Sequence, residues 1–158
     1  MLQFLFGIFM ANFAYSTYRG CNYCYDGCIK IINLKQILFY INEGVEIKDI
    51  FPSINYQTGE KILTFVVDIF ESQSTYNKWQ RLKDKEFKLR NLKTVNVNGL
   101  YRTLNTKEVI YLLEKKCQLK HCLASLDLKT QQPVLAFYFD PCEVREFLSI
   151  WKNKKPSA

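Results

Sequence analysis

Histidine is nearly missing from this chain of 158 residues, and His121 is the only one. One imidazole cannot serve a hydrolase or nuclease built on a histidine pair. The sequence also has no phosphate-cradling glycine loop, no Gly-x-Ser-x-Gly and no Asp-rich calcium loop. Those chemistries therefore lack their sequence marks. No Asn-x-Ser/Thr sequon occurs, so N-glycosylation is not expected even on a secretory route. No apolar run reaches the roughly 20 residues of a membrane helix, and no low-complexity linker marks an internal boundary.

What is present suits a folded domain. Apolar residues make up 48% and aromatics 15%, enough for a core in one domain of this length. The net charge is +7, and it is unevenly spread. Lys78, Arg81, Lys85, Lys88, Arg90 and Lys93 crowd one stretch that holds only Asp84 and Glu86 as acids, whereas Glu43 to Glu71 is acid-rich. A basic face of this kind steers acidic partners toward it; otherwise it is a solvated helix surface.

The N-terminus carries no side-chain charge before Arg19. Leu2, Phe4, Leu5, Phe6, Ile8, Phe9 and Met10 match the apolar core of a signal peptide. Ala14 and Ser16 suit a cleavage after Ser16. Residues 1–16 thus read as a leader and 17–158 as one mature domain. A buried element or an uncleaved anchor are the other readings.

Cys21, Cys24, Cys28, Cys117, Cys122 and Cys142 would all survive that cleavage, and an even count in an exported domain reads as disulfides. A metal reading takes Cys21, Cys24, Cys117 and His121 as a tetrahedral set; its bland counterpart for His121 is an ordinary surface residue. A redox reading takes Cys21 and Cys24 as a pair whose first thiol stands at a helix N-terminus. The order of a strand in 4–16, Cys21-Asn-Tyr-Cys24, a helix from about Asp26 and a strand Val45–Ile50 resembles the opening of a thioredoxin or glutaredoxin domain, which would imply thiol–disulfide exchange at Cys21 and Cys24. Tyr76 to Leu89 with Leu92-Lys93 resembles part of a plant-type ribonuclease, but without that family's paired histidines. Asp68 and Glu71 form an acidic pair at a strand end, more simply read as a solvated edge. Cys142, second in the last helix, would have a lowered pKa if free.

Periodicity predicts helices over 29–42, 75–90, from Asn105 and from Asp140. Strands are expected near 45–49, 62–70, 95–97, 100–104, 122–128 and 134–139. Asn98-Gly99 signals a tight hairpin. Asn105 with Glu108, and Asp140-Pro141 with Glu143, are helix starts. The fold class is α+β: an antiparallel sheet built from hairpins, with about four helices packed mainly on one face. Its strand-strand-helix rhythm reads as structural, with no matched motif between the units.

The leading expectation is an exported, disulfide-bonded protein of the secretory lumen or exterior. It binds a protein or acidic ligand through the basic face, without catalysis or cofactor. The alternatives are a thiol–disulfide oxidoreductase, and a zinc-stabilised nucleic-acid-binding protein of the cytosol. Nucleic acid is a partner only if the chain is not exported.

Overall fold

The computed structural model describes residues 13–82, 85–90 and 95–154. Among these the order is β1 (Phe13–Ser16), β2 (Cys21–Cys24), β3 (Cys28–Ile31), α1 (Leu34–Asn42), β4 (Asp49–Ile54), β5 (Lys61–Asp68), α2 (Ile69–Leu82), β6 (Tyr101–Thr103), α3 (Thr106–Glu114), β7 (Leu119–Leu126), β8 (Pro133–Phe139) and α4 (Pro141–Lys154). All pairings are antiparallel. β1 and β2 make a two-stranded hairpin, and β3-β5-β4 and β6-β8-β7 make three-stranded sheets. The class is α+β, with four helices among the described residues.

The two larger sheets are copies of one unit, β-α-β-β-α, repeated 72 residues apart. The helix bounds Leu34–Asn42 and Ile69–Leu82 recur at Thr106–Glu114 and Pro141–Lys154. Strand register recurs too: Asp49 faces Val66 and His121 faces Tyr138, while Ile31 faces Phe65 and Thr103 faces Phe137. Asn33 caps α1 and Asn105 caps α3.

The turns repeat atom for atom. Asn55 N–H donates to the Glu60 carbonyl at 2.8 Å, and Asp127 N–H to the Gln132 carbonyl at 2.9 Å. Gly59 (φ 73°) and Gln131 (φ 58°) hold the same left-handed position, which costs a non-glycine residue more. The gapless comparison also aligns identical residues: Gly27/Gly99, Lys35/Lys107, Lys48/Lys120, Ser53/Ser125, Thr58/Thr130, Leu63/Leu135, Phe65/Phe137, Asp68/Asp140, Glu71/Glu143 and Trp79/Trp151. The rhythm is therefore a sequence repeat as well, which corrects the expectation. The shared residues are scattered one or two at a time, so no local motif exposes them.

The units are interlocked. α1 packs on β7 and β8 of the second unit, and α3 packs on β4 and β5 of the first. One apolar cluster results, joining Ile37, Phe39, Phe65 and Val67 to Val109, Leu112, Phe137 and Phe139. Fully burying such side chains contributes about 1.5–3 kcal/mol each.

Several element bounds differ from expectation. The helix expected over 29–42 starts at Leu34, because Ile29 and Ile31 belong to strand β3 and Asn33 takes the cap. The strand expected at 45–49 begins only at Asp49. The strand expected to reach Phe70 hands over to α2 at Ile69, leaving Phe70 86% exposed. Asp68 caps that helix, its Oδ1 accepting the Glu71 N–H at 2.9 Å. The helix expected over 75–90 ends at Leu82, and 85–90 is not helical. Phe87 and Leu89 are two apart and pack on the core from a segment without regular structure; on a helical wheel they had merely coincided with Trp79 and Leu82. Val95 and Val97 form no strand, and β6 pairs with β8 instead.

Candidate binding surface

The basic face is assembled by a clamp that links distant parts of the chain. Asn42, buried at the end of α1, donates its Nδ2 to the Lys88 carbonyl at 3.1 Å and accepts the Arg90 N–H on Oδ1 at 2.8 Å. The amide thus holds the backbone on both sides of Leu89. Phe87 sets its ring edge-on against Phe39 at 5.3 Å, and Phe39 in turn lies 5.7 Å from Trp79.

Glu43 collects the charge. Its carboxylate, only 8% exposed, lies 3.4 Å from Lys78 Nζ and 3.7 Å from Arg90 Nη1. α2 and the 85–90 segment therefore meet on one surface. Arg81, Lys85 and Lys88 of the same stretch are exposed and have no acidic partner among the described residues. Lys93 lies outside the described residues.

A second construction was not visible in the sequence. Asp49, 2% exposed, accepts from Ser16 Oγ at 2.6 Å, from its neighbour Ile50 N–H at 2.8 Å and from the Tyr25 hydroxyl. Burial, then the bond to Asp49, pushes the Tyr25 pKa up. This network latches the β1–β2 hairpin onto β4. A cavity of about 430 Å³ lies beside it, lined in part by Tyr15, Cys28, Lys30 and Phe51. Its buried polar groups are satisfied by one another, as a structural brace requires. Nearby, burial works against the Lys48 charge, but Glu46 at 3.1 Å and Glu71 at 3.2 Å outweigh it and raise the ammonium pKa. Asp68 and Glu71 thus serve as a helix cap and an ion-pair partner.

The six cysteines are thiols in this structure. Cys21 and Cys24 lie on β2, three apart, so their side chains leave opposite faces of the strand. The element that follows is strand β3, so no helix N-terminus stands behind Cys21. Cys117 and Cys122 are buried, at the repeat positions of Val45 and Ile50, and pack as small apolar side chains. Burial raises Cys117 to about 11, with Glu143 adding to it, and burial raises Cys122 as well. Cys28 is raised by burial too, with its Sγ 4.0 Å from the Tyr23 hydroxyl. Cys142 is exposed in the first turn of α4.

His121, on β7, holds the repeat position of Asp49. Among the described residues no three His, Cys, Asp or Glu side chains gather closely enough to hold a metal, so Cys21, Cys24, Cys117 and His121 do not form one site. Of the proposed leader, residues 1–12 lie outside the described residues. Phe13–Ser16 form β1, and Ser16 is buried on Asp49. Among the described residues no helix is long and apolar enough to cross a membrane.

The sequence offered no local sign of Asn42, Glu43, Ser16 or Asp49, since each finds its partner tens of residues away. Compared with known proteins, the chain matches no family model, no curated protein and no solved structure.

Proposed function

We propose that this protein is a binding module without catalysis, taking an acidic partner on the face made by the second half of α2 and the 85–90 segment. The observation that carries the reading is the meeting of Lys78 and Arg90 on Glu43, with Arg81, Lys85 and Lys88 exposed along the same stretch of chain. A cluster of exposed cations on a fixed backbone attracts anions over about a Debye length and gives them a defined landing place.

The test is a charge reversal of Arg81, Lys85 and Lys88 to Glu, measured by anisotropy against a fluorescent dodeca-glutamate peptide. The comparison protein carries Lys116→Glu, Lys120→Glu and Lys129→Glu, so net charge is matched. Binding should weaken at least tenfold in the first variant and much less in the second. Equal losses in both would leave only non-specific attraction and end the proposal.

A further inference from the structure

The repeat lets one half of the molecule be read against the other, on the sheet faces turned away from the shared core. Alternate residues of a strand share a face. In the second unit Arg102, Tyr138 and His121 stand abreast on the outer face of β6-β8-β7. That face seals itself. Arg102 reaches across β8 and donates from Nη2 to Ser125 Oγ at 3.1 Å. Ala136 and Tyr138 on the same face are buried.

In the first unit the same positions hold Lys30, Val66 and Asp49. Cys28 stands beside them at the position of Leu100. Cys28, Lys30 and Val66 are each smaller than their counterparts Leu100, Arg102 and Tyr138, so this face is hollowed. The β1–β2 hairpin then roofs the hollow without filling it. The result is the cavity of about 430 Å³ beside the Asp49 brace, inside the range of about 300–1,000 Å³ in which small-molecule sites fall. Tyr15 of the hairpin lines it and is 67% exposed, so the cavity opens to solvent beside that ring. Two charged residues line it, Asp49 and Lys30. Asp49 has both carboxylate oxygens engaged, by Ser16, Tyr25 and the Ile50 N–H. Lys30 makes no ion pair among the described residues, and its Nζ lies 5.7 Å from the centre of the Phe51 ring. An ammonium offers three donors to an acceptor.

The geometry points to this cavity as a binding site for a small aromatic carboxylate, its ring on Phe51 beneath the hairpin and its carboxylate on Lys30. A flat ring packs on Phe51 and meets the Cys28 sulfur, both favourable contacts for a π-system. Burial raises the Cys28 pKa, so the thiol faces the ring as an uncharged wall. The carboxylate accepts charge-assisted hydrogen bonds from Lys30 Nζ. One ring or two fused rings suit the site, because the cation stands within reach of a ring laid on Phe51. A ligand without the carboxylate would leave the Lys30 donors unanswered, and one without the ring would leave the hollow over Val66 unfilled. The site shares no residue with the basic face proposed above, and the inference is independent of it.

The probe is 2-naphthoate, titrated calorimetrically into the full chain. It should bind at least tenfold more tightly than 2-naphthalenemethanol, which keeps the rings without the charge, and than acetate, which keeps the charge without the rings. Lys30→Met should bring the acid down to the level of the alcohol and leave the alcohol unchanged. Cys28→Leu, which installs the side chain of the second unit, should weaken both. Reversal of Arg81, Lys85 and Lys88 to Glu should leave the preference in place. In the unaltered chain, saturating naphthoate should slow iodoacetamide labelling of Cys28 and leave that of Cys142 as it was. Equal binding of acid and alcohol would overturn the site. So would Cys28 labelling that naphthoate does not slow, or indifference to Lys30→Met in a variant with an unchanged urea midpoint.

Discussion

Asp49→Ala should detach the N-terminal hairpin. The carboxylate accepts from Ser16 Oγ at 2.6 Å, from Tyr25 and from the Ile50 N–H, and both Asp49 and Ser16 are almost fully buried. Hydrogen bonds to a charged group are each worth about 1.5–3 kcal/mol net, and a buried hydroxyl left without a partner costs about 1–3 kcal/mol. Alanine removes the first and leaves the second, so a loss of about 3–5 kcal/mol is expected. Asp49→Asn keeps an oxygen for one hydroxyl and should lose about half of that. Urea unfolding measures the totals. A Ser16→Ala/Asp49→Ala cycle should return a coupling of about 1–3 kcal/mol. Hydrogen exchange supplies the location, since amides of Phe13–Ser16 and Cys21–Cys24 should speed up well before those of β5 and β8. If Asp49→Ala costs less than about 1 kcal/mol and the hairpin amides keep their protection, the latch is a coincidence of proximity.

Alkali and thiol reagents give two further outcomes. Tyr18 is raised from 10.0 to about 12 by burial first and the Cys122 charge next, and Tyr25 and Tyr101 are raised mainly by burial as well. A raised tyrosine contributes fully below pH 10, and that contribution drains away as the unfolded chain ionises above it. The urea midpoint should therefore fall steeply between pH 10 and about 12 and less steeply in Tyr18→Phe; a flat profile would contradict the burial of these hydroxyls. In native protein kept reduced, iodoacetamide should label Cys21 and Cys142 first, and Cys117 and Cys122 only on unfolding, as peptide mass mapping over time would show. Labelling of Cys122 at the rate of Cys21 would place it on the surface.

Elements with strong local grammar were legible from residues alone. The Asn105 and Asp140 caps stand where expected, whereas Asn98-Gly99 is a turn but not the hairpin expected of it. The α+β class followed from the alternation of periods. Two kinds of information were not local. α2 buries Ser72 and Thr75 with Trp79, so its inner stripe is half polar and gives a weak apolar period. The 85–90 segment is held by Asn42, 46 and 48 residues away, and nothing in its own sequence says so. Of the basic face, the charges were visible and the backbone that carries them was not. The repeat escaped because paired core positions share burial more than identity, as with Ile37 and Val109 or Val67 and Phe139.

The interlocking of the helices has a consequence for synthesis. α1 is complete at Asn42, but the strands it packs on, β7 and β8, run from Leu119 to Phe139. A ribosome adding about 5–20 residues per second needs several seconds or more to supply them. Through that interval the inner stripe of α1, with Ile37, Leu38 and Tyr40, has no sheet to cover it. Contacts of this sequence separation also place the chain among slow folders. The first unit should therefore engage a chaperone co-translationally and leave it only after Phe139 has emerged, and ribosomes stalled before and after that residue should differ sharply in chaperone occupancy.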